Sequence, residues 1–300
     1  MTLSELARAD LGVTRVWAAP SVADRVRGLG RTFTFGEVGE PLDCDTLIAV
    51  GGGALIDEAK SACRGEKRVT LVAIASLWGS GAETSPVVVL ARDGKKYIRL
   101  GSQFLPDVVV TWPELGATVD RDRARRACGD VWAHAVEALL SPLASPELRR
   151  ELATLIGRMS EMPLAYAPEW FDFSARASAL QARASVGLVH GMAHTLEMVE
   201  GAPRVGHAAL CATLLRPVLA FDRRGNTWRD RLAENGVAEE RVIGAAELLY
   251  EPRLYEALVP FIEREWRTIL RDPCTRTNGT LVRPDALSHF TAFAKAHQVA

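Results

Sequence analysis

Thr46-Leu47-Ile48-Ala49-Val50-Gly51-Gly52-Gly53-Ala54-Leu55-Ile56-Asp57-Glu58-Ala59-Lys60 changes character twice within one short stretch. The run up to Val50 is almost wholly apolar, as expected of a strand buried on both faces. Three glycines follow. Ala54 to Cys63 then reads as a helix. Glycines at this point let a backbone approach a phosphate closely, and the new helix offers free N–H groups and the positive end of its dipole. The same residues also suit a tight strand-to-helix turn with no ligand, and they are not the GxGxxG dinucleotide fingerprint. Asp57 and Lys60 point along the helix, and Lys60 reads as a solvated or helix-supporting residue.

Outward from this turn the pattern stays mixed. Val13 to Ala19, Arg31 to Phe35, Val69 to Ala75, Val87 to Leu90 and Val108 to Thr111 read as short strands. Ser21 is placed to cap a helix running to about Leu29. Strands alternating with short helices predict a mostly parallel sheet covered on both faces. The loop Ile74 to Glu83 follows a strand at its carboxyl end, where open α/β sheets bind ligands. Trp78 in that loop either covers a ligand or packs. Strand-like runs stop after Thr111, and from Asp120 onward apolar residues recur at helical spacing. Pro113 and Gly116 break the pattern between the two halves. The expected organisation is an α/β, Rossmann-like domain over residues 1–116 and an all-α domain over 117–300. Within the second, Asp222 to Asn226 is a polar turn, Pro273 to Pro284 a longer loop, and Pro284 the first residue of a last helix.

Bulk properties exclude several classes. The net charge is −1, with 36 basic and 37 acidic residues, so nothing points to nucleic acid. The five cysteines are scattered and form no CxxC, which reads as reduced cytosolic thiols, neither a disulfide framework nor a thiolate metal site. Met1 to Asp10 lacks the apolar core of a signal peptide, and no apolar run approaches membrane-spanning length. The expected location is the cytoplasm.

The histidines carry the chemistry. Of six, four fall between positions 134 and 207. Asp130 and His134 lie four apart, on one helical face, with Glu137 on roughly the same face; His190 and His194 repeat that spacing within Val186 to Met198, and His207 follows. Imidazoles with one carboxylate suit Fe2+ or Zn2+ rather than the all-oxygen ions Mg2+ and Ca2+. Five candidates, Asp130, His134, His190, His194 and His207, exist for about four positions. One of the paired histidines can face a substrate while the other faces the metal. Such a metal would acidify an alcohol, and hydride could pass to a nicotinamide held by the other domain.

Taken in order, these stretches resemble the iron-containing (group III) alcohol dehydrogenases. The resemblance rests on Gly51 to Lys60 against GGGSxxDxAK, Ser76 to Glu83 against TTAGTGSE, Asp130 to Glu137 against DAxxHAxE, and His190 to Leu196 with His207 against HxxAHxL and a later histidine. Leu105 to Val110, Pro113 to Leu115 and Asp272 to Asn278 match as well, so the resemblance covers nearly the whole chain. It implies the dehydroquinate synthase-like fold of that family. It also implies Asp130, His134, His190 and His207 as metal ligands and His194 beside substrate and nicotinamide. The Gly51 to Gly53 turn would hold the pyrophosphate, with Gly52 and Gly53 in contact. Asp57 would lie near the nicotinamide end, Ser76 and Ser80 supply hydroxyls, and Lys96 reaches the ribose or phosphates.

The chain departs from the family pattern in places. It is short, it lacks the usual helix between Pro41 and Thr46, and Leu77 and Trp78 replace smaller residues. Ala54 stands where Ser is usual. His190 and His207 are seventeen apart, wider than in many members. After the first strand, Ala18-Ala19-Pro20 carries no acid to repel a 2′-phosphate, so NAD and NADP are both open. The resemblance implies a dehydrogenase acting on an alcohol, with a substrate that is a small alcohol or a peptide. Short relatives in daptide-type peptide pathways suggest oxidation of a C-terminal Thr followed by loss of CO2. A homodimer is expected, with neither nucleic acid nor membrane as partner. The competing readings are a dehydroquinate-synthase-like lyase and a binding or scaffold protein that has lost turnover.

Overall fold

The structure is a computed structural model that describes residues 2–29, 33–65, 68–92 and 95–296. It divides into two units, Met1–Val119 with Tyr166–Ala179, and Asp120–Ala165 with Leu180–Ala300.

The first unit contains α1 (Leu3–Arg8), β1 (Thr14–Ala18), α2 (Ala23–Arg27), β2 (Thr34–Phe35), β3 (Thr46–Gly51), α3 (Gly53–Ala62), β4 (Thr70–Ala75), β5 (Val87–Arg92), β6 (Lys95–Leu100) and β7 (Val108–Val109). Five strands form a parallel sheet in the order β2-β1-β3-β4-β7. Its register pairs Val16 with Ile48 and Ile48 with Val72. Alternate residues of β3 then serve two cores. Ile48 and Val50 pack with Leu6, Val16, Val72 and Ile74. Leu47 and Ala49 pack with Trp17, Ala59, Cys63 and Leu71. This is why the sequence of β3 is apolar at every position but its first.

Several expectations need correction. β5 does not join the parallel sheet but pairs antiparallel with β6, Val89 opposite Ile98. Asp93-Gly94, a hairpin signal in the sequence, lies outside the described residues. Arg31 and Thr32, the start of an expected strand, also lie outside them; β2 comprises Thr34–Phe35 only. Ser21 is not a helix cap, because α2 begins two residues later, after Val22, with no side-chain cap bond. Conversely, α1 carries a full capping box between Thr2 and Glu5 that the reading of the termini passed over.

Lys60 is the largest revision. It is neither solvated nor merely a support on the helix surface: its side chain is fully buried. The ammonium donates to Asp57 Oδ1 at 3.0 Å, to the Ala82 carbonyl at 3.0 Å and to the Val87 carbonyl, using all three of its protons. Asp57 Oδ2 in turn accepts from the Val89 N–H at 3.0 Å. One buried ion pair therefore ties α3 to the loop that follows β4 and to β5. Trp78 packs rather than standing open, with its ring 5.5 Å from Phe171 and 6.0 Å from Tyr166. The loop around it is bound to the same segment by Gly79 N–H on Ser174 Oγ at 2.9 Å.

The second unit is helical: α4 (Arg121–Leu140), α5 (Pro146–Met159), α6 (Glu169–Ala184, whose residues to Ala179 belong to the first unit), α7 (Leu188–Met198), α8 (His207–Asp222), α9 (Asn226–Glu234), α10 (Glu239–Leu249), α11 (Pro252–Ile269), α12 (Pro273–Arg276) and α13 (Leu287–Ala296). The stretch expected as a loop after Pro273 thus opens with a helical turn, whose cap is Asp272 accepting from the Cys274 N–H. Pro284 begins a 3-10 turn that leads into α13. α4 starts at an Asp120 cap and is buried continuously from Ala127 to Leu140. No helix among the described residues is long and apolar enough to cross a membrane.

A pH effect follows from Glu83, a buried carboxyl in the loop that Lys60 holds. Burial pushes it up to about 7, against an ordinary value of 4.5. The folded state therefore binds a proton that the unfolded state releases between those two values. Stability falls as pH rises through that window and levels off above it. Glu83→Gln should remove this dependence and gain up to roughly 3 kcal/mol over the parent above pH 7. Thermal melts of both proteins at pH 5 and pH 8 check it; an equal pH response in the two would refute the assignment.

Candidate functional site

α4 presents Asp130, His134 and Glu137 at spacings of four and three, along one stripe. α8 lies against it at a point where both sequences are small. A Cβ on Gly129 would run into Ala212. That absence of a side chain lets the two backbones close up, so Asp130 on one helix and Cys211 on the other become neighbours. α7 arrives through Gly187. Its first N–H groups are taken by side chains from elsewhere: Leu188 N–H by Asn278 Oδ1 at 3.0 Å and Val189 N–H by Glu137 Oε1 at 2.6 Å.

The four side chains proposed from sequence as ligands come together. Asp130 Oδ1 lies 3.6 Å from His190 Nε2, 3.9 Å from His134 Nδ1 and 4.0 Å from His207 Nε2. The rings of His134 and His190 stack at 4.5 Å. Asp130 Oδ1 and His190 Nε2 are buried and have no hydrogen-bond partner. At 3.6 Å they are too far apart to bond each other, yet near the roughly 3.4 Å expected between two ligand atoms of one tetrahedral ion. The donor set therefore fits a divalent ion.

The far sides of the rings are equally organised. His190 Nδ1 meets Glu137 Oε2 at 2.6 Å, and His207 Nδ1 meets Glu197 Oε2 at 3.2 Å. A carboxylate on Nδ1 makes that nitrogen the N–H donor and leaves Nε2 as a lone pair facing Asp130. Glu137 does two jobs with its two oxygens, capping α7 and orienting its histidine. The electrostatics agree. Burial alone would raise the Asp130 carboxyl, but His134, His190 and His207 hold it well below the usual carboxylate range. Burial opposes charge on His190 and His207, and Cys211, Asp130 and the carboxylates of Glu137 and Glu197 outweigh it and raise both. The cluster stabilises positive charge inside the protein.

His194 stands apart. It is not one of the atoms gathered around Asp130. Its ring stacks on His207 at 5.3 Å, and its Nδ1 is 3.8 Å from Asp272 Oδ2 and 3.9 Å from Cys274 Sγ. The sequence reading had no place for Asp272 and Cys274 at the site beyond their stretch, nor for Cys211. Cys211 Sγ lies 3.5 Å from His207 Nε2 and groups with Asp130, His190 and His207, all within 4.8 Å of one another. The cysteines were expected to stay clear of any metal. The missed signal is a His and a Cys four apart on α8, which a search for CxxC does not see.

The residues proposed to bind a nucleotide are in the first unit. Gly52 caps α3, whose first turn carries no side-chain cap bond, and a Cβ built on Gly52 meets nothing within 4 Å. Open space over a free helix N-terminus fits a phosphate. Ser80 sits directly against Gly53, where a Cβ would strike its hydroxyl, and Ser76 N–H donates to the Gly51 carbonyl at 2.9 Å. The structure thus joins Gly51, Gly53, Ser76 and Ser80 in one place. Asp57 is one turn along α3, with both oxygens engaged internally. Lys96 lies instead on the β5–β6 ribbon, opposite Ala91.

Residues 36–113 match the sequence profile of the family described as iron-containing alcohol dehydrogenase. The chain is 28% identical over 238 residues to an alcohol dehydrogenase of Thermococcus barophilus, covering 69% of this chain and 61% of that protein. It is 28% identical over 258 residues to the probable alcohol dehydrogenase EutG of Escherichia coli (strain K12), covering 71% and 63%. In three dimensions it is similar to the iron-containing alcohol dehydrogenase of Thermococcus thioreducens, with a TM-score of 0.79 at 21% identity over 99% of this chain and 96% of that one. The chain is thus similar to iron-containing alcohol dehydrogenases in sequence and in fold. It spans about six-tenths of the length of those two curated relatives. The fold is shared with that solved structure: a parallel α/β unit and a helical unit.

Glu137 offers a direct test of the site. Glu137→Gln keeps the volume and one acceptor for α7, but it sets an amide N–H2 against the N–H of His190. Affinity for a divalent ion should fall roughly 10–100-fold, as for other partners that orient a ligating histidine. Competition with a chelator measures it, and unchanged affinity would reduce Glu137 to a helix cap.

Proposed function

We propose that the protein is a metal- and nicotinamide-dependent oxidoreductase that moves hydride between an alcohol, or its carbonyl, and NAD or NADP. The observation that carries this reading is the pair Asp130 Oδ1 and His190 Nε2, both buried, both without a hydrogen-bond partner and 3.6 Å apart. Asp130, His134, His190 and His207 would hold the ion. When bound, a divalent Fe2+ or Zn2+ supplies Lewis acidity, and the nicotinamide accepts or donates the hydride.

The chain's own residues do the rest. Glu137 and Glu197 fix the tautomers of His190 and His207. The Gly51 to Gly53 turn and the α3 N-terminus would receive the pyrophosphate, with Ser76 and Ser80 at its side. His194 is partly exposed and faces the Asp272 carboxylate, so it can hold a proton at one ring nitrogen and pass one from the other. The proposed substrate class is an alcohol, including the side-chain alcohol of a C-terminal Thr in a peptide, whose oxidation gives a β-keto acid that loses CO2. The proposed setting is the cytoplasm, which the five free thiols suit, with the chain as a homodimer.

Metal content, nucleotide binding and turnover on a panel of small alcohols and Thr-ending peptides test the reading, with nicotinamide absorbance as the readout. Asp130→Ala should empty the metal site and keep nucleotide binding. Gly52→Val should do the reverse, because its side chain enters open space and leaves the fold intact. If both variants lose both ligands, or neither loses any, the two sites are wrongly assigned.

His194→Ala is expected to keep metal and nucleotide and to lose turnover by roughly 10²-fold or more, with an altered pH profile. An unchanged rate and profile would leave His194 a packing residue, whereas loss of metal would make it a ligand.

A further inference from the structure

We infer that Cys211 supplies a thiolate ligand to the metal, alongside Asp130, His190 and His207. The inference rests on the metal-site reading above and changes the chemistry of that site.

Geometry carries it. The ligand atoms of these four residues lie within 4.8 Å of one another. Successive separations are 3.6 Å from His190 Nε2 to Asp130 Oδ1, 4.0 Å from Asp130 Oδ1 to His207 Nε2, and 3.5 Å from His207 Nε2 to Cys211 Sγ. Bonds of 2.0–2.3 Å to a tetrahedral ion give edges of roughly 3.3–3.8 Å, so small side-chain adjustments suffice. Cys211 is fully buried and shares a face of α8 with His207, four residues earlier. The Gly129–Ala212 contact fixes it there, because the residues next to that contact on the two helices are Asp130 and Cys211. The sulfur is not a lone cysteine: two buried polar atoms without partners, Asp130 Oδ1 and His190 Nε2, belong to the same group.

A ligating thiol gives up its proton when the metal binds, and its charge then faces the dication. A sulfur donor also shifts preference toward borderline-soft ions, zinc above all, and away from oxygen-seeking ones.

The test uses the full chain, stripped with a chelator and titrated with Co2+. We expect a near-ultraviolet thiolate-to-cobalt charge-transfer band that saturates at one equivalent, vanishes in Cys211→Ser while cobalt still binds, and persists in Cys274→Ser. Cobalt bound without that band overturns the inference and leaves the metal site standing. So does a band that survives Cys211→Ser or disappears in Cys274→Ser. Failure to bind cobalt at all overturns the metal-site reading itself. Should Cys211→Ser not fold, X-ray absorption on the zinc-loaded parent decides: one sulfur at about 2.3 Å supports the inference, and a shell of nitrogen and oxygen only refutes it.

Discussion

The helical unit depends on the near contact of α4 and α8 at Gly129 and Ala212. Helices packed through ordinary side chains keep their axes 8–10 Å apart. A Cβ at Gly129 has no room, so here the backbones sit closer. Asp130 has a single methylene and cannot reach far. The close approach brings its carboxylate within 4.0 Å of His207, the first residue of α8. The rest of the cluster follows from helix periodicity. His134 lies one turn along α4 from Asp130, Glu137 about two turns along, and Cys211 one turn along α8 from His207. Glu137 then carries the order of α4 into α7 by holding both the start of that helix and its first histidine.

Burying so many ionisable groups is costly unless each is answered. The pattern by which they are answered is regular. The Nδ1 of His190 faces Glu137, that of His207 faces Glu197, and that of His194 faces Asp272. In the first two, the opposite nitrogen points at Asp130. A ring carboxylate of this kind fixes the tautomer, stiffens the ring and raises its basicity. The third imidazole has its carboxylate farther off, at 3.8 Å, and no place in the cluster around Asp130. The two histidines one turn apart on α7 therefore stand in different surroundings.

Much of this was legible in the sequence because it depends on local spacing. The i, i+4 spacing on α4 put Asp130 and His134 on one face, and the apolar run before Gly51 declared a central strand. What was not legible depends on contacts between distant segments. Lys60 looks like any exposed helix lysine until the Ala82 and Val87 carbonyls are brought over it. Cys211 looks like core filler until Gly129 delivers Asp130 to it. β5 has the composition of a sheet strand, and only its pairing with the charged, alternating β6 removes it from the sheet. Ser21 shows the opposite error, a favourable cap residue one position too early, with Val22 standing where the chain enters the helix.

The glycine turn illustrates how one sequence can satisfy both of its readings. A bare structural turn and a phosphate cradle use the same residues, and here the work divides by position. The Gly51 carbonyl accepts from Ser76, and Gly53 must lack a side chain because Ser80 occupies that space. Asp57 and Lys60 are spent on tying α3 to the following loop and strand. Only Gly52 has neither a packing partner nor a bonding duty that forbids a Cβ. Packing demands a glycine at position 53, and it does not demand one at position 52. Gly52, at an uncapped helix N-terminus with open space over it, is the position in the turn that leaves room for close approach from outside.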